Sequence, residues 1–186
     1  GYKLNFSGKY YNALSYGVDP KTHLLDYDAI REIAKKEKPK MIIAGATAYP
    51  REFDFKKFAD IAREIDAYFL ADISHITGLI IAGVHQSPID YADVVMTTTH
   101  KTLRGPRGAM ILVPKKADRL HDIHHPKSKK NLAQLIDSAI IPGLQGGPHN
   151  HQTAAIAVCL EEAMKPEFKE YGKQVQKNAQ ALADSL

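Results

Sequence analysis

The stretch TTTHKTLRGPRG, residues 97–108, decides how this chain folds, because an apolar run lies on each side of it. The flanking runs are DVVM at 93–96 and AMILV at 109–113, and both have the length and β-branched content of buried strands. Between them stand hydroxyl, imidazole, ammonium and guanidinium groups, with glycines that let the backbone approach a ligand closely. So much polarity between two core strands is costly unless it faces a cleft. The stretch therefore predicts a functional site beside a buried strand.

Predicted strands and helices alternate along the rest of the chain. Apolar runs at 41–45 and 67–71 indicate two further buried strands, separated by a helix that Asp54 is expected to cap. Two more helices are predicted, one at 150–164 and one from Pro166 to the end of the chain. Alternation of this kind is typical of βαβ units. We therefore expect an α/β fold with three layers, α/β/α, around a mostly parallel sheet.

Smaller features complete the predicted pattern. Residues 1–17 lack periodicity and are expected to be irregular. Asp26 is expected to cap a helix that ends before Pro39, with three residues facing inward: Ile30, Ile33 and Ala34. The segments between the main elements are predicted to be a break rich in glycine and proline at 142–148 and short helices at 116–121 and 132–139.

Composition describes an ordinary globular chain. It is 44% hydrophobic and 25% charged, and no apolar run approaches the roughly 20 residues that a membrane-spanning helix needs. Its one cysteine, Cys159, cannot form an internal disulfide, which fits a reducing compartment. We therefore expect a cytoplasmic protein that does not associate with membranes.

Basic residues concentrate at 115–130 within a net charge of +4. The cluster lacks the aromatic residues that stack on bases, so a solvated loop is favoured over a nucleic-acid site. His121, His124 and His125 lie in the same segment, but neither a cysteine nor an ordered set of carboxylates accompanies them. No metal site is therefore predicted.

Polar residues follow each of the three strands that precede helices or loops. Thr47 follows the first, residues 72–75 follow the second, and His100 and Lys101 follow the third. Ligands of open α/β sheets bind outside the carboxyl ends of the strands. We therefore expect these three junctions to meet in one crevice.

Asp72 and Lys101 suggest what this crevice binds. A half-buried lysine can lose its proton and attack carbonyl compounds, and a nearby aspartate can keep a pyridine nitrogen protonated. Together they suggest pyridoxal phosphate. The alternatives are a helix cap or structural salt bridge for Asp72 and an exposed turn for Lys101.

Several motifs resemble the serine hydroxymethyltransferase family. The stretch at 97–108 is similar to its pyridoxal-lysine signature. The resemblance extends, in order, to NFSGK at 5–9, YGVD at 16–19, PKMII at 39–43, QGGP at 145–148 and EEAMKPEF at 161–168. It implies the large domain of a fold-type I pyridoxal-phosphate transferase, acting as a homodimer or a dimer of dimers.

The resemblance also implies residue roles. Lys101 would bond to the cofactor aldehyde, Asp72 would pair with the ring nitrogen, and Thr47 and His75 would lie near the ring 3-oxygen. His100 would contact the phosphate. The remaining roles fall to Thr98 and Arg107, close to the lysine, and to the backbone N–H of Gly147, reaching the phosphate from a partner subunit. The implied catalytic residues are thus Lys101, His100, Thr98 and His75.

The reaction implied is serine and glycine interconversion, with the one-carbon unit passed to tetrahydrofolate. Relative to the family, residues 1–186 resemble a central part of the large domain, without its N-terminal segment and the small domain. We therefore expect little or no transferase activity from this chain alone. The alternatives are another fold-type I enzyme, such as a threonine aldolase or a cysteine desulfurase, and a non-catalytic module that dimerises or binds partners.

Overall fold

The computed structural model describes residues 3–114 and 117–186. The chain divides after Lys38 into two compact units. In the first unit lie helices α1 (Phe6–Tyr10) and α2 (Tyr27–Glu37). The Asp26 side chain accepts hydrogen bonds from the first-turn N–H groups of α2, at 3.0 Å each, so the predicted cap is confirmed.

Two expectations for this first unit are wrong. Residues 1–17 are not wholly irregular, because α1 forms, and the rings of Phe6 and Tyr10 stack one helical turn apart at 4.4 Å. Ile30 and Ala34 are buried as expected, whereas Ile33 is 39% exposed. At 100° per residue, Ile33 falls at the margin of the stripe that Ile30 and Ala34 define.

The second unit is built on a four-stranded sheet of order β1-β2-β3-β4. The strands are β1 (Met41–Ala44), β2 (Tyr68–Asp72), β3 (Val94–Thr98) and β4 (Ala109–Leu112). β1, β2 and β3 run parallel, and β4 pairs antiparallel with β3. The expected mostly parallel sheet is confirmed. β4 reverses direction because residues 99–108 hold no helix long enough for a crossover.

The helices of this unit are α3 (Phe55–Glu64), α4 (Thr77–Ile81), α5 (His121–His124), α6 (Leu132–Ser138), α7 (Asn150–Ala163) and α8 (Pro166–Ser185). Asp54 caps α3 through a hydrogen bond from the Lys57 N–H at 3.1 Å, as predicted. The helix predicted at 116–121 is a 3-10 turn (Ala117–Leu120) followed directly by α5. Residue 116 of that prediction lies outside the described residues.

Helical segments cover both faces of the sheet. On one face, Phe69 of β2 lies against rings of α3, namely Phe55 and Phe58. On the other face, Tyr68 and Val94 form a buried cluster with two leucines of the covering segments: Leu120 and Leu132. The alternation of faces along β2 follows from the two-residue period of a strand. The structure thus confirms the layered α/β arrangement.

The predicted break at 142–148 is only partly correct. A wide helical turn (Ala139–Leu144) extends into it, interrupted at Ile141, where φ is −127° and ψ is 120°. Regular structure ceases from Gln145 until α7 begins. Along residues 3–114 and 117–186, no helix has both the length and the apolar character required to cross a membrane.

Candidate functional site

The carboxyl ends of the three parallel strands open onto one cleft of about 300 Å³. Its lining comes from all three predicted junctions: Gly45, Ala46, Thr47, Asp72, Ser74, His75, Met96, Thr98 and Lys101. The expected convergence is therefore confirmed. It arises because parallel strands in register end at the same edge of the sheet.

Gly45 brings the first junction against the second. Its φ is 150°, and a Cβ built there would overlap the backbone carbonyl oxygen of Asp72. A residue with a side chain would push the two strand ends apart. The narrow floor of the cleft thus depends on glycine at this position.

Asp72 ends β2 with one carboxylate oxygen already hydrogen-bonded. Its Oδ1 accepts from the Ser74 N–H at 3.0 Å and from the Ser74 hydroxyl at 2.6 Å. Its Oδ2 accepts no hydrogen bond from residues 3–114 or 117–186, and no ion pair there includes it. The helix-cap alternative is wrong, because α4 begins after Ile76. A carboxylate oxygen therefore remains available to a ligand in the cleft.

Lys101 is half-buried, and its ammonium donates to the Thr98 hydroxyl at 2.8 Å. Lys101 also begins a turn, because its carbonyl accepts from the Arg104 N–H at 2.9 Å, so the alternative of a surface lysine at a turn is not excluded by position alone. Thr98 ends β3, so its hydroxyl ties the lysine to the edge of the sheet. The amine and the Asp72 carboxylate lie on walls of the same cleft.

The two histidines of the predicted site behave differently. His75 lines the cleft, and its backbone carbonyl accepts a hydrogen bond from the Thr102 hydroxyl at 2.9 Å. His100 does not line the cleft, but its Nδ1 atom is buried and without a hydrogen-bond partner in the described part of the chain. A buried polar atom without a partner costs free energy, so this nitrogen is suited to a bound acceptor or donor.

Arg107 and Gly147 are not brought into this cleft. Arg107 is exposed on the connection between β3 and β4. Gly147 is also exposed, with φ at 62° and open space around it. Neither position contacts the cleft from within this chain.

The loop that carries Lys101 is closed by its own hydrogen bonds. The backbone N–H of Thr99 donates to the Gly108 carbonyl at 2.9 Å, and the Thr99 hydroxyl donates to the Pro106 carbonyl at 2.6 Å. The guanidinium carbon of Arg104 lies 4.3 Å from the ring centroid of Tyr171, on α8. These contacts fix the loop relative to β3 and to α8.

Sequence reasoning missed two hydroxyls that organise the site. The Ser74 hydroxyl lies between Asp72 and the backbone N–H of Thr98, while the Thr102 hydroxyl joins the His75 carbonyl to the N–H of Gly78. A serine two residues after an aspartate commonly bonds back to it, so the Ser74 contact had a local signal. The Thr102 contact had none, because its partners lie far away in sequence.

The histidine-rich segment forms hydrogen bonds of its own. His124 Nε2 lies 2.9 Å from the Asp66 carbonyl oxygen, and His121 lies 3.2 Å from the Asp122 carboxylate, which raises the pKa of His121. Across the described ranges, no group of three or more histidine, cysteine or acidic side chains is arranged to hold a metal ion.

A mostly parallel α/β sheet with an aspartate and a lysine at the ends of neighbouring strands defines the class of enzymes that bind a small molecule at the carboxyl edge of the sheet. The family profile described as serine hydroxymethyltransferase matches residues 1–186, the whole chain. The chain therefore belongs to the serine hydroxymethyltransferase family, whose fold-type I architecture agrees with the observed sheet.

A relative supports the same assignment. The chain is 51% identical over 186 residues to "Serine hydroxymethyltransferase 2" from Mesorhizobium japonicum. The alignment covers 100% of the chain and 42% of that relative, so the chain spans less than half of the relative's length. The match favours this family over a threonine aldolase or a cysteine desulfurase. Cys159 agrees, because burial raises the pKa of its thiol, which does not suit a sulfur carrier.

Proposed function

We propose that this chain forms a central part of the large domain of a serine hydroxymethyltransferase and binds pyridoxal phosphate in the cleft. The whole protein would interconvert serine and glycine and pass the one-carbon unit to tetrahydrofolate. The single observation that carries the proposal is a half-buried Lys101 facing the same cleft as the Asp72 carboxylate, one oxygen of which accepts no hydrogen bond from residues 3–114 or 117–186. The family match over the whole chain supports it.

The residues of the cleft fit this cofactor. Asp72 Oδ2 is available to the ring nitrogen, and the Lys101 amine is available to the aldehyde. Thr47 and His75 line the same cleft and would lie near the ring 3-oxygen. Within the described residues, the buried Nδ1 of His100 has no hydrogen-bond partner, as expected of an atom that would meet a phosphate. Two outer positions would complete the cofactor site: Arg107 beside the lysine and Gly147 from a partner subunit.

Bound there, the cofactor would supply an electron sink for the charge left on the amino-acid α-carbon. The chain's own groups would provide the rest. Asp72 would accept a hydrogen bond from the ring nitrogen and so favour its protonated form. Thr98 orients the Lys101 amine through the hydrogen bond at 2.8 Å. His75, which lines the cleft, and His100 would orient the two ends of the bound molecule.

We also propose that the protein is a cytoplasmic homodimer or dimer of dimers. Its single cysteine suits a reducing compartment. Large apolar side chains remain on the surface of the second unit, among them Leu144, Val158 and Met164, which are 82%, 57% and 76% exposed. Such side chains are typical of surfaces that another subunit covers.

The test is titration of the chain with pyridoxal phosphate. We expect a visible absorption band that Lys101→Ala abolishes, because the alanine variant lacks the amine that bonds to the aldehyde. Lys127→Ala is the matched control, since Lys127 is an exposed lysine of the basic loop and its loss should leave the band unchanged.

We expect little or no turnover from this chain alone, so turnover is tested in a longer protein. A chimera would carry residues 1–186 in place of the matching segment of the Mesorhizobium japonicum relative. We expect the chimera to convert serine and tetrahydrofolate, with at least about a thousandfold loss in Lys101→Ala. A band that persists without Lys101, or full turnover by that variant, would contradict the proposal.

A further inference from the structure

Ser74 is the most fully hydrogen-bonded side chain of the cleft. It is 5% exposed, and its hydroxyl lies 2.6 Å from Asp72 Oδ1 and 3.0 Å from the backbone nitrogen of Thr98. The Thr98 N–H can only donate, so the serine oxygen accepts from it and gives its own proton to the carboxylate. The Met96 sulfur, 3.4 Å away, is a weak acceptor and competes little for that proton.

These bonds connect the two reactive groups of the site. Ser74 binds Asp72 on one side and the Thr98 backbone on the other, and the Thr98 hydroxyl accepts from Lys101 Nζ at 2.8 Å. The path therefore runs from the end of β2 to the end of β3 and on to the lysine. The bonds at Thr98, 3.0 and 2.8 Å long, have ordinary lengths. The bond from the Ser74 hydroxyl to the carboxylate is shorter, at 2.6 Å, as expected for a charged acceptor.

The same bonds also select the free oxygen of Asp72. The N–H and the hydroxyl of Ser74 both donate to Oδ1. Rotation of the carboxylate would break both bonds, so the side chain is held in one orientation. Oδ2 is left as the oxygen with unsatisfied acceptor capacity within the described residues.

We propose that Ser74 is a positioning residue for the cofactor. It holds Asp72 so that Oδ2 is presented to the ring nitrogen, and it fixes the Thr98 backbone from which Lys101 is oriented. This inference rests on the proposed binding of pyridoxal phosphate. Ser74 itself acts through its neighbours and does not touch the reacting atoms.

The experiment measures the dissociation constant for pyridoxal phosphate in the chimera and in its Ser74→Ala variant. Loss of a hydrogen bond to a charged group should raise the constant by about tenfold or more. The visible band should also broaden or shift, because the carboxylate is no longer fixed against the ring. Thr77→Val is the matched control, since it removes a buried hydroxyl that bonds the Ile73 carbonyl and Thr97 and leaves Asp72 untouched. We expect its dissociation constant to stay within about twofold.

A double-mutant cycle tests whether Ser74 affects cofactor binding through Asp72 or only by stabilising the fold. Because part of the role of Ser74 runs through Asp72 and part through the Thr98 backbone, Ser74→Ala should raise the dissociation constant clearly less in an Asp72→Asn background than in the unaltered protein. An undiminished effect in that background, or no effect of Ser74→Ala alone, would overturn the inference.

The two proposals fail in different ways. Unaltered protein that does not bind pyridoxal phosphate would refute the proposed function. Unaltered protein that binds, together with a Ser74→Ala variant that binds equally well, would refute only the role of Ser74. Should the alanine variant not fold, Ser74→Cys has a similar shape but a larger atom, and it replaces the hydroxyl by a weak donor, so a rise in the dissociation constant is again expected.

Discussion

At the scale of single residues, backbone position matters in this cleft as much as side-chain chemistry. Gly45 carries no functional group, yet it sets how closely the end of β1 approaches Asp72. Thr98 contributes twice, through its N–H to Ser74 and through its hydroxyl to Lys101. The placement of Asp72 and Lys101 in the cleft therefore depends on the neighbouring residues Gly45 and Thr98.

Gly45→Ala tests this dependence. The added methyl would overlap the Asp72 carbonyl oxygen, which belongs to the backbone of β2 and cannot move aside cheaply. We expect the free energy of unfolding in urea to fall by about 1–3 kcal/mol. Gly146→Ala is the matched control, because the space around Gly146 is open and a change within about 0.5 kcal/mol is expected. Equal stability of the two variants would show that the strand ends can separate freely.

At the scale of elements, the connection between β3 and β4 is the unit that presents the lysine. The Thr99 hydrogen bonds close it at its base, and Arg104 packs it onto α8. Arg104 has a positive φ of 63°, an uncommon conformation for a residue other than glycine. Contacts elsewhere must offset that strain, and the two aromatic rings of α8 beneath the guanidinium supply them.

Arg104→Ala should loosen the contact between this connection and α8. The guanidinium lies 4.3 Å from the Tyr171 ring centroid and 5.2 Å from that of Phe168. We expect a loss of about 1 kcal/mol in the free energy of unfolding, together with faster hydrogen exchange in α8. Arg104→Lys retains the charge but stacks less well, so its loss should be smaller. If exchange in α8 did not change in either variant, this packing would be unimportant for the loop.

Local signals explain which elements could be predicted from the sequence. The apolar runs correctly predicted the strands, and Asp26 and Asp54 correctly predicted two helix caps. Both kinds of prediction succeed because a buried strand and a helix cap each depend on a few adjacent residues. Ile33 was misplaced because it lies at the margin of its helical stripe, where the tertiary contacts decide burial.

The site, like the fold, could be predicted only where its residues follow from local signals or from the sheet topology. The convergence of Thr47, Asp72 and Lys101 follows from parallel topology, so it could be anticipated. The bond from Ser74 to Thr98 joins residues 24 apart and depends on the register of β2 against β3. The hydropathy pattern alone does not predict which residues of β2 and β3 pair, so it does not predict this contact. The roles of all the site residues stay predictions, and two of them, Arg107 and Gly147, do not lie at the cleft.

At the scale of the whole molecule, the chain matches a segment that is 42% of its relative's length. In the proposed dimer, a second subunit would cover exposed apolar side chains of the second unit, such as Leu144 and Val158. Exposed hydrophobic surface of this kind promotes association.

Association should therefore be visible in the chain itself. Light scattering should give twice the monomer mass of 20.6 kDa at high concentration, with dissociation on dilution. If Gly147 reaches the cofactor of a partner subunit, affinity for pyridoxal phosphate should also rise with chain concentration. A constant mass of 20.6 kDa with unchanging affinity would contradict the dimer.

The antiparallel pairing of β3 with β4 also has a consequence for assembly. The loop at 99–108 joins neighbouring strands, so little chain entropy is lost when it closes around Lys101. The link between Ser74 and Thr98 instead requires a crossover that brings residues 24 apart together. The lysine half of the site thus has low contact order and the carboxylate half has a higher one. We therefore expect the loop that carries Lys101 to form as a local unit, and the docking of β2 against β3 to complete the cleft later in folding.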